Sequence, residues 1–294
     1  MQQDSNEPTI GIPPTTHHGV QSVLLPRIGH ALALALRARI GEGHFGLDGR
    51  LTNWQDVLMP GVDGSLLPDG PGGVDGTRLR HPDSAAALAI NSFLNWRRCP
   101  DLLQLGGETG FRELRFDARC PTGVRGTPPL LDLIAASEQA VVAVTARGSE
   151  YLACRQSQLA AAYDRLRTRP ELSPWLLLLA TIRGTPGRFR HVDLPALLKN
   201  ALGLGQTFSN RRIKLVYLFW EPVGGAASGP FAAHRRELAE LAERVGESSV
   251  QLLPQSFDEL WTAWQGLAEP PWLREIVARL KERYSVALPE QAGL

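Results

Sequence analysis

The segment LLDLIAASEQAVVAVTARGSEYL, residues Leu130 to Leu152, decides the fold. It begins with an apolar run that contains one carboxylate, Asp132, and a polar turn follows at Ser137-Glu138-Gln139. A second apolar run leads to Thr145-Ala146-Arg147. Two short apolar runs joined by a tight polar turn predict a β-hairpin. A long amphipathic helix is predicted to follow, from Ser149 to Leu166.

The residues on both sides of the hairpin predict an α/β core. A helix is expected from about Ser84 to Trp96, because Asp83 or Ser84 can cap its amino end and apolar residues follow at helical spacing. A strand is expected from Phe111 to Arg119, and a strand buried on both faces from Lys214 to Trp220. Further helices are expected after Pro170, at Leu194–Leu202, at Phe231–Val245, after a capping box formed by Ser256 and Glu259, and at about Pro271–Tyr284.

The amino-terminal region differs from this core in composition. Residues 1–24 are polar and rich in proline, and we expect a disordered arm there. Residues 25–80 are expected to form a helical extension with a helix at Ile28–Ile40, and residues 60–77 read as a long loop because they are dense in Gly, Pro and Asp. Residues 81–288 then form the core with its carboxyl-terminal helices.

Bulk composition limits the classes of function. The chain has 294 residues, of which 43% are hydrophobic and 21% charged, as in ordinary globular proteins. Its net charge of +1 argues against attraction of nucleic acid by the whole molecule, although a local basic groove is compatible with it. Three cysteines without a CxxC pair predict a reducing, cytoplasmic setting. The longest apolar block, Trp175 to Ile182, is too short to span a membrane.

The order helix, three strands, helix, strand, with an acid on the second strand, resembles the PD-(D/E)xK nuclease superfamily. It is similar in particular to an uncharacterised bacterial branch of nuclease-like proteins, over roughly residues 70 to 285. The matching segments are Ala86–Phe93, Phe111–Asp117, Leu131–Leu133, the strand ending VVAVTARGSEYL, His191–Asp193, Leu197–Lys199 and Tyr217–Pro222. The resemblance implies a restriction-endonuclease-like mixed β-sheet flanked by helices.

The resemblance also implies a catalytic site. In such nucleases, acidic side chains bind Mg²⁺ or Mn²⁺, which lowers the pKa of an attacking water. Glu113 and Asp132 match the first two acids, and Glu150 is the candidate third metal ligand. The expected Glu-x-Lys element reads Thr145-Ala146-Arg147 here. Threonine carries no charge, and Arg147, the remaining catalytic candidate, can clamp a phosphate but cannot give up a proton.

Each of these residues also has a structural interpretation. Asp132 can form an ion pair, for which Arg147 is one candidate partner. Glu113 can lie on a solvated strand face, and Glu150 can complement the dipole at a helix start. Thr145 suits a strand whether or not it belongs to a site. Tryptophans in the carboxyl-terminal third are more typical of core packing than of base stacking, namely Trp261, Trp264 and Trp272.

Three functional hypotheses follow. The first is a metal-dependent DNA endonuclease, and the second is a catalytically inactive relative that keeps a surface for binding nucleic acid or protein. The third is a scaffold protein that meets a partner protein. A basic groove would favour the first two, and its candidate residues are Arg112, Arg115, Arg119 and Arg125, with Lys199 as a further phosphate contact. A homodimer is compatible with each hypothesis, and none requires a membrane.

Overall fold

The structure is a computed structural model that describes residues 17–67, 74–153, 156–166, 170–227 and 229–288. Its centre is a five-stranded sheet in the order β1-β2-β3-β4-β5. The first three strands form an antiparallel meander, and β3, β4 and β5 run parallel, so the sheet is mixed. The strands are β1 (Glu113–Arg119), β2 (Leu130–Ala136), β3 (Ala140–Arg147), β4 (Arg212–Phe219) and β5 (Val250–Ser256). The predicted hairpin is confirmed as β2 and β3.

Helices flank this sheet, as expected for the α/β class. They are α1 (His17–Ile40), α2 (Gly76–Leu79), α3 (Ala85–Phe93), α4 (Ser173–Gly184), α5 (Leu194–Thr207), α6 (Gly229–Arg244), α7 (Phe257–Gln265) and α8 (Leu273–Tyr284). A 3₁₀ turn at Leu94–Arg98 continues α3, and Ser84 caps its amino end by accepting the N–H of Ala87 at 3.1 Å. The predicted first helix, the three strands after it and the later strand are therefore present, but α4 and α5, rather than a helix directly after β3, connect β3 to β4.

The central strands are largely apolar because both faces of the sheet are covered. Every residue of β3 except Arg147 is buried, and β2 is buried from Leu131 onward. Val, Leu and Ala dominate both strands, which suits a sheet packed on two sides. A polar side chain in this setting needs a partner, and Asp132 is such a side chain.

Helices α3 and α7 pack together through tryptophan. The ring of Trp264 meets Phe93 edge-on with centroids 5.4 Å apart, and the indole N–H of Trp261 donates to the hydroxyl of Ser92 at 3.2 Å. Both tryptophans are 1% exposed, so their predicted core role is confirmed. The capping box at the start of α7 is confirmed as well. These contacts fix the first core helix against the carboxyl-terminal helices.

The predicted helix from Ser149 to Leu166 is wrong. The described residues of this stretch form only two 3₁₀ turns, at Glu150–Ala153 and Ala161–Arg165. Between them, the Gln156 side chain donates to the carbonyls of Phe189 and Val192, at 3.0 and 2.8 Å. A helix would turn the Gln156 side chain toward solvent, but here it is bonded to a neighbouring loop. Tertiary contacts thus override the helical pattern of the sequence.

Two further regions depart from the sequence prediction. Helix α1 begins at His17, so residues 17–24 are helical rather than part of an arm, while residues 1–16 lie outside the described residues. Part of the predicted loop at 60–77 is ordered as α2, and residues 68–73 lie outside the described part. Strand β5 was not predicted because Pro254 interrupts its pattern. Proline is tolerated there since β5 is an edge strand.

We expect Trp264→Ala to lower the free energy of unfolding by about 3–5 kcal/mol, because the substitution leaves a cavity between α3 and α7. Urea unfolding followed by circular dichroism measures the change. Leu177→Ala on α4 is the control, since this leucine is 74% exposed and its loss should cost less than about 0.5 kcal/mol. Equal effects of the two substitutions would contradict the packing described here.

Candidate functional site

A row of polar residues crosses one face of the sheet, and we call it the polar row: Asp117, Asp132, Thr145 and Tyr217. Asp117 and Asp132 lie between the paired residues Phe116–Leu133 and Ala118–Leu131 of β1 and β2, and Asp132 and Thr145 each lie one residue beyond the pair Leu133–Val144 of β2 and β3. Thr145 pairs directly with Tyr217 in the parallel ladder of β3 and β4. Residues that face each other on neighbouring strands project from the same side of a sheet. The register therefore brings Asp132, Thr145 and Tyr217 near one another, and the shared contact with Arg78 places the Asp117 carboxylate beside that of Asp132.

The two aspartates of the polar row share one arginine from α2, an arrangement that we call the Arg78 clamp. Nη1 of Arg78 donates to Oδ1 of Asp117 at 2.6 Å, and Nη2 donates to Oδ1 of Asp132 at 3.0 Å. The second oxygen of Asp132 accepts the backbone N–H of Ala146 at 2.7 Å. Because Asp132 is only 7% exposed, these bonds offset the cost of burying its charge.

The ionisation of Asp132 depends on this clamp. Burial raises the pKa of Asp132, whereas the Ala146 N–H and the guanidinium groups of Arg78 and Arg147 act to lower it. Among the described residues, Arg147 has no carboxylate within 4.0 Å and so acts on Asp132 only at longer range. The ion-pair interpretation of Asp132 is therefore realised with Arg78, which the sequence did not suggest, rather than with Arg147.

Asp117 and Arg78 are site residues that sequence reasoning missed. Asp117 has a φ of 47°, a left-handed conformation that aspartate adopts more readily than most residues. In the sequence, the one sign that Asp117 belongs to this site is its spacing of two residues from Arg115 and four from Glu113 along β1. Arg78 lies 39 positions before Asp117 and 54 before Asp132, so no local pattern links them.

The structure does not bring the three predicted metal ligands together. Glu113 pairs with Ala136, four residues along β2 from Asp132, which is a separation of about 13 Å at the usual rise per residue. Its exposed carboxylate pairs instead with Arg115 at 3.3 Å. Glu150 begins a 3₁₀ turn after β3, where its Oε2 accepts the N–H of Gly148 at 2.8 Å.

This donor set does not fit the Mg²⁺ or Mn²⁺ site that the resemblance implies. Such a site needs several hard oxygen ligands converging in near-octahedral geometry. Here the Arg78 guanidinium lies between Asp117 and Asp132, and Thr145 supplies no charge. Within the described ranges, no group of three His, Cys, Asp or Glu side chains has an arrangement that could hold a metal ion.

A cleft of about 280 Å³ adjoins the other end of the polar row, at the carboxyl ends of β3 and β4, and we call it the Arg147 cleft. Residues that line it include Arg147, Glu150, Arg190, His191, Asp193 and Tyr217. Nη1 of Arg147 donates to the carbonyl of Ala146 at 2.9 Å, and its guanidinium carbon lies 5.9 Å from the centre of the Tyr217 ring. Ligand sites of α/β proteins commonly lie at this end of parallel strands.

The two carboxylates in the cleft differ in their partners. Asp193 caps α5, as the sequence suggested, and it accepts bonds from the N–H of Ala196 and from both the N–H and hydroxyl of Ser157. Solvent reaches Glu150 at the cleft mouth, yet the protein atoms around it desolvate its carboxylate and raise its pKa, against the opposing effect of Arg147. The hydrogen bonds of Asp193 thus serve to hold the fold together. Glu150 makes fewer such bonds.

The predicted nucleic-acid contacts are spread over the surface. Arg112 pairs with Glu138 at 2.5 Å, and Arg115 pairs with Glu113. Arg119 donates to a backbone carbonyl at 3.3 Å, and Arg125 is exposed in the loop between β1 and β2. Lys199 donates to the carbonyl of Gln158 at 2.6 Å. The first four thus follow β1 and its loop, whereas Lys199 lies on α5.

Comparison of the chain with protein-family models, with curated proteins and with solved structures gave no match. Across the part of the chain that the structure describes, no helix has the length and apolar character needed to cross a membrane. The geometry of the site is therefore the basis for any functional proposal.

We expect Arg78→Met to destabilise the fold by about 2–4 kcal/mol at pH 7, because it leaves Asp132 ionised and unpaired inside the sheet. The deficit should shrink as the pH is lowered toward 4. The pKa of Asp132 is already raised in the folded chain and rises further without Arg78, so the folded state takes up a proton that the unfolded state does not. Thermal or urea unfolding between pH 4 and 8 measures this dependence.

The matched control is Arg78→Met combined with Asp132→Asn. The double variant removes the buried charge, so its stability relative to the wild type should vary much less between pH 4 and 8. A pH-independent deficit in the single variant would show that Arg78 acts through packing rather than through the ion pair.

Proposed function

We propose that this chain is a nuclease-like protein of the PD-(D/E)xK kind that binds nucleic acid without cutting it. The Arg78 clamp carries the proposal. One guanidinium takes up the space between the two carboxylates that face each other across β1 and β2, where a cation would be held. A reducing cytoplasmic setting belongs to the proposal too, and the free thiols of Cys99 and Cys120 are consistent with it.

The arrangement of the sheet supports the nuclease-like part of the proposal. The strands follow the order β1 to β5 in the sheet, and β2 is antiparallel to both of its neighbours. This arrangement is compatible with the order of helix, three strands, helix and strand on which the resemblance rests. Asp132 lies on the second strand, and Thr145, at the position of the expected glutamate, lies on β3 next to Val144, which pairs with the neighbour of Asp132, Leu133. The substituted residue therefore shares the face of the sheet that bears Asp132.

The chemistry of the clamp favours binding over cleavage. A metal ion assists phosphodiester hydrolysis by acidifying a bound water and by offsetting charge on the phosphate. The guanidinium of Arg78 carries charge but coordinates no water, and both its terminal nitrogens are bonded to aspartates. Arg147 remains protonated at any physiological pH, so it provides no base.

A basic and aromatic surface supports the binding part of the proposal. Arg115 on β1 and Arg211 before β4 both approach the ring of Phe208, with guanidinium carbons 5.6 and 5.9 Å from its centre. Both arginines are exposed, and Phe208 is half-buried. We call these three residues the Phe208 patch. Cationic groups beside an aromatic ring suit a phosphate backbone together with a stacked base.

We expect no cleavage of plasmid or single-stranded DNA by the wild type with Mg²⁺ or Mn²⁺, and no Mn²⁺ binding by calorimetry. Arg78→Ala should gain weak Mn²⁺ binding, because Asp117 and Asp132 are then left facing each other without a cation. Adding Asp132→Asn to this variant should abolish the gain. Metal-dependent cleavage by the wild type that disappears in Asp132→Asn would overturn the proposal and favour an active endonuclease.

We expect the wild type to bind DNA in the presence of EDTA, with an affinity that falls steeply as salt rises. Arg115→Gln combined with Arg211→Gln should weaken binding roughly tenfold and reduce the salt slope by about 2, since about 0.9 is lost for each phosphate contact. Fluorescence anisotropy with labelled duplex and single strands measures both. Arg274→Gln on α8, an exposed arginine elsewhere, is the control. Salt-insensitive or absent DNA binding would favour the scaffold hypothesis.

A further inference from the structure

The Arg147 cleft contains cations that the fold does not neutralise by direct pairing. Arg147 is largely enclosed, and its one hydrogen bond to a described residue goes to the carbonyl of Ala146. Arg190 also lines the cleft and, like Arg147, makes no ion pair within 4.0 Å with a described carboxylate. Donors of both guanidinium groups are therefore available to a ligand that enters the cleft.

The carboxylates of the cleft do not occupy the hydrogen-bond donors of these arginines. The two oxygens of Asp193 are bonded to Ser157 and to the amino end of α5. The Glu150 carboxylate accepts the N–H of Gly148 at 2.8 Å and is also hydrogen-bonded to the backbone N–H of Glu150 itself. Neither carboxylate lies within 4.0 Å of Arg147. The charges of the cleft are close to balance, but its arginine donors are not satisfied.

A tyrosine adds a further donor. Nε2 of His234 lies 3.2 Å from the hydroxyl of Tyr217, and the buried Nδ1 of His234 has no partner among the described residues. Burial lowers the pKa of His234 to about 3, so its ring carries a single proton at pH 7. A buried N–H without an acceptor is rarer and more costly than an unused lone pair. We therefore assign the proton to Nε2, which donates to Tyr217, so the tyrosine hydroxyl hydrogen is not used in this bond.

We propose that the Arg147 cleft binds the phosphate group of a small molecule, held by Arg147 and Arg190 with the Tyr217 hydroxyl as a third donor. The donors come from three separate segments of the chain, after β3, before α5 and within β4. The three terminal oxygens of a phosphate can accept from several directions, whereas the two oxygens of a carboxylate lie in one plane. The volume of about 280 Å³ is near the lower limit for ligand pockets, so the ligand is small.

This site is distinct from the proposed binding of nucleic acid. It requires neither a metal ion nor the Phe208 patch, and it lies at the end of the polar row away from the Arg78 clamp. Small-anion binding is measured without DNA or metal, so its failure and the failure of the proposed nucleic-acid binding are distinguishable.

Calorimetric titration of the full chain with inorganic phosphate, a nucleoside monophosphate and acetate tests the proposal. We expect phosphate and the nucleoside monophosphate to bind at least about tenfold more tightly than acetate. Arg147→Gln should weaken phosphate binding about tenfold or more, because it removes charge-assisted hydrogen bonds. Glu150→Gln should strengthen binding several-fold, because it removes a negative charge that lines the cleft beside the ligand.

Two further variants keep the test decisive. Arg190→Gln changes an exposed side chain, so it should fold normally and weaken phosphate binding several-fold even if Arg147→Gln is unstable. Arg274→Gln, remote from the cleft on α8, should bind phosphate like the wild type. No phosphate binding by the wild type at 10 mM, equal binding of acetate, or unchanged binding in both Arg190→Gln and a folded Arg147→Gln would overturn the proposal.

Discussion

A carboxylate buried in an apolar sheet must be paired, and the pairing of Asp132 with Arg78 organises this molecule. The clamp joins α2 to β1 through Asp117 and to β2 through Asp132, while the Ala146 N–H adds β3. Ser84 holds the clamp in place, because its hydroxyl donates to the carbonyl of Arg78 at 2.6 Å and also caps α3. The segment before the core thus becomes part of the site.

The hydrogen-bonding groups at the two ends of the polar row have different partners. At the β1–β2 end, the aspartates are bonded to one guanidinium and to the backbone, so little donor or acceptor capacity remains for a ligand. At the β3–β4 end, Arg147 lies against the face of Tyr217 and has one bond to a backbone carbonyl. Ligand binding is therefore better supported at the arginine end than at the aspartate end, opposite to the expectation from paired acids.

Local features of the sequence predicted most of the fold but little of the site. The β2–β3 hairpin, strand β4 and the capping box of α7 follow from periodicity and turn chemistry, which act over a few residues. The Ser149–Leu166 helix failed because Gln156 bonds to a loop more than 30 residues away. Arg78 could not be predicted for the same reason, since its partners are defined only by the folded chain.

Charge balance along the polar row explains why Thr145 and Arg78 fit together. A glutamate at position 145 would place a third negative charge beside Asp132 and Asp117, and a divalent cation would be the natural means of neutralising such a group. With threonine, the row carries two negative charges, and Arg78 contacts both aspartates. Arg147 acts on Asp132 only at longer range. The neutral residue at position 145 therefore leaves the row with two carboxylates, a number that one guanidinium can contact directly.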